Sequence, residues 1–496
     1  MTPAALAVSA PVVIAVGGVL AYLLARALPF EVRRWTGTFS ALWLAGVFVM
    51  LLAAGVGGSP AAGNPFAPLL QPSPLGTVFA LFVTFLGAAA VLASQGRIRP
   101  GGPLQLYYPL LLFALAGASA AGFARDLVTL FVAVELSAFP SYALVAYLGD
   151  EEPRAVPAAV KYLLQGVSGT LTALLGVSLF YVAGHTLLLA DLPAALAGAD
   201  PRLLAAAAVL ITVGYGVKLG VVPVHTWLPD AYSYAPAGVT AAMAGATKAG
   251  SLLALVLSLA ALPAGGAAAL AGGILILLAV VTMTAGNLLA FPQTDVRRLL
   301  AYSSIAQMGY ILLPFGIAIT YGVPAGVAAG LFYAVAYGLM KGGAFLSADL
   351  LAAESGSPDC SGMRGSGGRN PVVGVAFSIF IFGLIGVPAT AGFVGKALIF
   401  LTGMSTLAWG GVVLALVLAA NSVLSLGYYV PLLSTVLFGG HGEGGHAAGG
   451  AGTGIPRSGV LAVALLAVAT VLLGFFPGAI YDWLGSALTF FPGGWP

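Results

Sequence analysis

The chain has 496 residues, 60% of them hydrophobic and only 7% charged, with a mean hydropathy of +1.05. Charged residues supply about a quarter of a water-soluble globule, so a soluble fold is excluded and the chain reads as an integral membrane protein. A formal charge of +3 marks no nucleic-acid partner, and a single cysteine, Cys360, excludes a disulfide framework, a thiolate zinc site and an iron–sulfur cluster.

A hydrocarbon core about 30 Å thick takes roughly 20 apolar residues in a helix. By that ruler the first spans fall at 5–27, 38–56, 75–95, 105–123, 126–148, 159–184 and 203–222. Residues 1–27 lack a basic leader and are followed by many equally apolar stretches, so they read as a first span and not as a cleaved signal. Seven more spans follow, at 236–261, 267–290, 298–319, 323–350, 371–404, 409–437 and 458–478. The runs are continuously apolar, without the period of two that barrel strands show. The expected fold is therefore an all-α membrane protein with about 14 transmembrane helices.

The arginines test that count, because cytoplasmic loops collect basic residues. Arg26, Arg33, Arg34, Arg97, Arg99, Arg154, Arg297, Arg298, Arg364, Arg369 and Arg457 fall in or beside odd-numbered loops. Only Arg125 and Arg202 fall in even ones. The odd loops are thus expected in the cytoplasm and both termini outside it, in a multi-pass protein of the cell (inner) membrane. The stretch 439–454 is a glycine-rich linker; it holds His441, Glu443 and His446, but a loop of that composition lacks the surroundings that orient metal ligands, and no metal site is expected.

Ionisable residues that interrupt the apolar runs carry the most information, since a charge at mid-bilayer costs at least about 2.5 kcal/mol on insertion scales. In span five, Glu135 stands nine residues beyond Asp126, about 13 Å into the membrane at 1.5 Å per residue. Lys161, near the start of span six, reads as snorkelling to the cytoplasmic headgroups. Lys218 lies deep in span seven, just before Pro223, His225 and Pro229, and prolines at that spacing interrupt a helix. His225 is a candidate relay, or else a backbone partner at the break. Lys248 sits at mid-depth in span eight, and Lys341 follows a long apolar run in span eleven, where it is a second candidate relay. Asp349 and Glu354, towards the end of that span, read as interfacial. Lys396 follows Gly386, Pro388 and Gly392 in span twelve, a stretch long enough for two half-helices.

Every arginine is in a loop or at a span end, whereas four of the five lysines are inside spans. A desolvated lysine can release its proton near neutral pH while arginine stays charged, so this partition suits a proton carrier. Two Pro/Gly-broken spans, each with a lysine, mark an ion pathway built from discontinuous helices. One buried carboxylate cannot neutralise four lysines, which counts against Glu135 as a merely static partner. Their insertion cost also counts against a non-transporting scaffold, a competing class.

The segments VELSAFPSYALVAY (134–147), GYGVKLGVVPVHTWLPDAYSYAPAGVTAAMAGATKAG (214–250), GNLLAFPQTDVRRLLAYSSIAQMGY (286–310) and GVPATAGFVGKALIF (386–400) resemble the antiporter-like, proton-translocating subunits of complex I and its relatives. The resemblance covers roughly 105–437 and is most similar to the N-type subunits of NADH-quinone oxidoreductase. Lysine at 396 fits that type, M-type subunits usually having glutamate there, and the chain stops soon after span fourteen without the lateral helix of L-type subunits.

The resemblance implies fourteen helices with two inverted five-helix repeats, spans four to eight and nine to thirteen, and broken helices at spans seven and twelve. Residues 1–104 would then be an N-terminal three-helix segment, 105–261 and 262–437 the two proton-channel repeats, and 438–496 the glycine-rich loop, last span and tail. It further implies that Glu135 pairs with Lys218, that Lys248 links two half-channels, and that Lys396 is the outlet. Tyr302, Ser303, Ser304, Gln307, Tyr428 and Tyr429 are candidate wall residues. The chain itself would hold no cofactor, with quinone and NADH, or another electron donor, used by partner membrane subunits. LMKGGAF around Lys341 is closer to archaeal and M-type relatives, which keeps the donor open. Alternatives are a D-type subunit of an Mrp cation/proton antiporter, or a subunit of an F(420)H(2) dehydrogenase or membrane-bound hydrogenase.

Overall fold

In a computed structural model, residues 2–29, 35–55, 66–98, 104–438 and 455–487 are described. They are helical, with no strand among them. Thirteen helices are long and apolar enough to cross a membrane, and two shorter apolar helices, Pro371–Ile385 and Ala391–Met404, together occupy the place of span twelve. The fourteen expected spans are therefore all present, and the chain is a multi-pass membrane protein. The linker histidines His441 and His446, with Glu443, lie outside the described residues.

Sequence chemistry sets where the helices start. The Asp126 carboxylate accepts from the backbone N–H groups of Val128 and Thr129 at 2.9 and 2.8 Å, capping the span-five helix Leu127–Val145. Asp295 caps Val296–Tyr321, span ten, in the same way through Arg298 N–H at 2.8 Å. Span seven ends as a helix at Leu219 on Gly220 in the left-handed region (φ 74°), and resumes as Leu228–Tyr234. The first half of span twelve stops on Gly386 (φ 95°), and Thr390 caps the second half through Phe393 N–H. The halves of span twelve cross where Gly392 packs on the carbonyl of Gly383.

Span eight runs over Ala237–Leu259, but Met243–Thr247 are wound as a π turn immediately before Lys248. Spans eight, ten and eleven are almost wholly buried, whereas spans two, six, thirteen and fourteen turn most of their surface outward. The lysine-bearing helices Ala237–Leu259 and Ala325–Ser355 thus form the centre of the bundle. Three short helices were not anticipated: Leu192–Leu196, Ser366–Arg369 and, in the expected tail, Gly478–Ala487.

The two acids near the end of span eleven differ in their surroundings. Asp349 is buried, pairing with Arg97 at 2.8 Å and with Arg297, so it ties the ends of spans three, ten and eleven together. Glu354, by contrast, makes an outer pair with Arg369 at 2.8 Å. Asp349→Ala strands two guanidiniums. A fully buried pair costs ~3–5 kcal/mol to break, and with about a quarter of each arginine side chain still exposed the expected loss is about 2 kcal/mol. A lowered melting temperature of the purified protein in detergent is the measurement.

Cys360 lies in the loop beyond span eleven, its N–H donating to Thr294 O at 2.8 Å. Burial, reinforced by Asp295, pushes its thiol up to about 11. The thiolate is the nucleophile, so alkylation should be slow at neutral pH. Its rate should climb about tenfold per pH unit until pH approaches 11; a rate that levels off near the ordinary thiol value of about 8.5 contradicts this.

Candidate functional site

Span five delivers Glu135 to the last turn of the first half of span seven. There its carboxylate forms an ion pair with Lys218 at 2.9 Å, the side chains being 14% and 2% exposed. Lys218 Nζ also donates to Tyr142 Oη at 2.7 Å. The Tyr142 ring meets Tyr162 edge-on, and Tyr162 stacks on Trp227 at 4.2 Å. Trp227 Nε1 in turn donates at 2.8 Å to Val217 O, a carbonyl at the helix end that also accepts from Gly220 N–H. An aromatic wall therefore fixes the pair and the break together.

Lys248 is buried beside the rings of Tyr232 (5.4 Å) and Tyr337 (6.0 Å), at the outer limit of cation–π contact. Its Nζ and the Tyr232 hydroxyl have no hydrogen-bond partner among the described residues. A buried ammonium does not persist unsatisfied, so this part of the site calls for water, which bridges such groups in folded proteins. His225 stands in the break of span seven, half-buried, its Nδ1 likewise without a partner among the described residues. Among the described residues its ring bonds to no other candidate site residue; its hydrogen bond is to the backbone of Pro223, at the break itself.

Lys341 donates to Ser303 Oγ at 2.6 Å, and the Ser303 hydroxyl is bonded to that of Tyr429. It lies within reach of the charges of both Lys248 and Lys396. Lys396 donates to the carbonyls of Leu384 and Ile385, both at 2.9 Å. Those are the open carbonyls where the first half of span twelve ends, the negative pole of that half-helix. The Tyr310 ring lies 4.5 Å from the same Nζ, and Gln307 joins through Leu384 O at 3.2 Å and the Tyr333 hydroxyl at 2.5 Å.

The structure thus brings together Glu135 with Lys218, and Lys341 with Ser303 and Tyr429. Ser304 Oγ donates to Leu300 O, the carbonyl that Lys341 Nζ also reaches at 3.3 Å, whereas Tyr302 lies apart from this cluster, under Arg298. Lys161 does not simply snorkel. It donates to Asp230 at 2.7 Å, and Arg298 binds the other oxygen at 3.0 Å, so Asp230 on the second half of span seven joins spans six and ten. Asp230, Asn287, Tyr310 and Tyr333 were missed. The TWLPD break displays an acid followed by no charge of its own helix, which is the one signal that pointed to a distant partner for Asp230.

Comparison with known proteins bears on this arrangement. Residues 124–425 match the family model described as NADH:quinone oxidoreductase/Mrp antiporter, TM. The chain is 33% identical over 385 residues to the F(420)H(2) dehydrogenase subunit N of Methanosarcina mazei, covering 75% of this chain and 76% of that one. It is 35% identical over 456 residues to NADH-quinone oxidoreductase subunit N 1 of Sorangium cellulosum, with 86% and 88% covered. Among solved structures, a chain of respiratory complex I from Thermus thermophilus with bound aureothin superposes with a TM-score of 0.76 at 31% identity, over 95% of this chain and 98% of that chain. With its fold, its broken spans and the match to the family model in agreement, the chain belongs to the NADH:quinone oxidoreductase/Mrp antiporter transmembrane family.

Proposed function

We propose that this chain is an N-type, proton-translocating membrane subunit of a respiratory quinone oxidoreductase. It carries no redox step itself; electrons pass from NADH or another donor to quinone in partner subunits, and other membrane subunits flank it in the bilayer. The observation that carries this reading is the set of four buried lysines, one each on spans seven, eight, eleven and twelve, begun by the Glu135–Lys218 ion pair at 2.9 Å and ended by Lys396 on helix-end carbonyls.

Each residue has a distinct task. With the carboxylate close, Coulomb attraction holds the ammonium at Lys218. When the pair opens, the proton passes through water to Lys248, whose Nζ no described protein atom binds. Lys341 hands it on to Lys396, each transfer leaving a neutral amine behind and so keeping at most a few positive charges in the bundle. His225 in the break is a further candidate carrier. The arginine-rich odd loops support a cytoplasmic entry, an exit past Lys396 to the opposite side, and both termini outside the cytoplasm of a cell membrane. The repeats over spans four to eight and nine to thirteen are supported by the equivalent positions of the two breaks.

The test is acidification of inverted membrane vesicles during quinone reduction. Lys248→Ala should leave the complex assembled while coupled pumping collapses; unchanged pumping refutes the proposal. A second reading, an Mrp-type antiporter subunit, is favoured by the scope of the matching family model. It predicts sodium-dependent proton flux without any quinone reduction.

A further inference from the structure

A cleft of about 170 Å³ opens between the ends of spans nine and thirteen, walled by Phe291, Gln293, Cys360, Tyr428, Leu432 and Thr435. It lies beside the start of span ten, on the side that carries Arg297 and Arg298. A site of roughly 10–15 Å³ already holds one water where polar partners exist, and Gln293, Thr435 and Tyr428 provide them. Tyr428 lines the cleft, and its hydroxyl donates to Asn287 Oδ1 at 2.9 Å. Asn287 is anchored in turn by Asn421, its Nδ2 donating to Asn421 O and Oδ1 at 3.1 Å. An amide side chain does not relay protons readily, so Asn287 is a positioning residue that fixes the Tyr428 hydroxyl. Hydroxyls both donate and accept. The adjacent Tyr429 ring lies 4.4 Å from that of Tyr428, the Tyr429 hydroxyl is bonded to Ser303, and Ser303 Oγ accepts from Lys341 at 2.6 Å. All three hydroxyl residues and Lys341 are buried.

We propose that this cleft is a second proton entry on the arginine-rich side, which reloads Lys341 from water through the hydroxyls of Tyr428, Tyr429 and Ser303. It rests on the chain being a proton translocator. In one passage each hydroxyl accepts a proton on its oxygen and gives up the one it held, and the neutral Lys341 amine gains one; water in the cleft gives one to Tyr428 and regains it from the bulk on the same side. Charge arriving at Lys248 then expels the proton from Lys341 towards Lys396. Span eleven is thereby filled from its own side of the membrane as well as by way of Lys248, so closing the cleft removes only part of its supply.

The experiment uses the intact complex in inverted vesicles and measures protons moved per electron delivered to quinone. Tyr428→Phe removes the first hydroxyl, and Thr435→Trp, at a partly exposed position on the rim, fills the cleft. Each should lower the ratio partially, less than Lys248→Ala does, and the double variant should fall no further than the lower single. A ratio unchanged in both single variants, with Lys248→Ala collapsing it in the same preparations, overturns the second entry alone. If Lys248→Ala also leaves the ratio unchanged, the translocator reading fails and the entry with it. If Tyr428→Phe does not assemble, Thr435→Trp decides by the same criterion.

Discussion

Glu135→Gln is expected to abolish proton pumping while leaving the complex assembled. The substitution keeps the shape of the side chain and removes only its charge, so the helix Leu127–Val145 and its packing are preserved. What is lost is the attraction at Lys218, 2.9 Å away. Opposite charges 4 Å apart at an effective dielectric of about 20 attract by about 4 kcal/mol, and a closer pair by more. Since 1.36 kcal/mol is a factor of ten, the charged form of Lys218 loses a preference of roughly a thousandfold relative to the paired state. The switch that opens and closes is then no longer two-valued, and pumping should drop below detection. Glu135→Asp, which keeps the charge on a shorter arm, should retain a measurable part. Equal pumping by the Gln variant and the native protein, at equal amounts of assembled complex, is the result that refutes the role of the pair.

Gly392→Ala is expected to damage both stability and coupling, although it adds a single methyl group. That methyl would overlap the carbonyl oxygen of Gly383 and press on Met340 Sδ, so the two halves of span twelve must separate. Overpacking of this kind costs about 3 kcal/mol at the upper end of the common range. Lys396 lies one turn further along the same half-helix, and separation draws its Nζ away from the carbonyls of Leu384 and Ile385. The comparison is Gly46→Ala, where an added methyl meets nothing within 4 Å. The first should lower the melting temperature of the purified protein and the proton yield; the second should lower neither, since alanine is the better helix former at an open position. Indistinguishable melting of the two variants contradicts the crossing.

The spans and both breaks were legible because each rests on a local signal. Apolar runs of membrane length, the sorting of arginines and the Pro/Gly clusters around 220–229 and 386–392 require no knowledge of neighbours in space. Lys218 and Lys396 were legible for the same reason, as charges beside those breaks. What stayed hidden are partnerships between distant positions. Asp230 meets Lys161 across 69 residues, and Asn287 meets Tyr428 across 141. Neither an asparagine nor a tyrosine costs enough in a membrane helix to announce a function. Tyr302, next to Ser303 in the sequence, lies instead under Arg298, since adjacent residues of a helix point about 100° apart. The π turn at Met243–Thr247 has no signature either, since its one weak helix former, Gly245, is of a kind common in unbroken membrane helices.

That turn gives Lys248 a swivel. A π turn contains one residue more than the α-helical turn it replaces, and the surplus can migrate along a helix without uncoiling it. Each residue it passes is rotated by about 100°, so a displacement by a single position re-aims the amine from one neighbour to the next while the helix ends stay put. The amine of Lys248 is thus mounted on a bearing that an unbroken α-helix lacks, and its azimuth can change with neither a loop nor a rigid-body swing of the bundle.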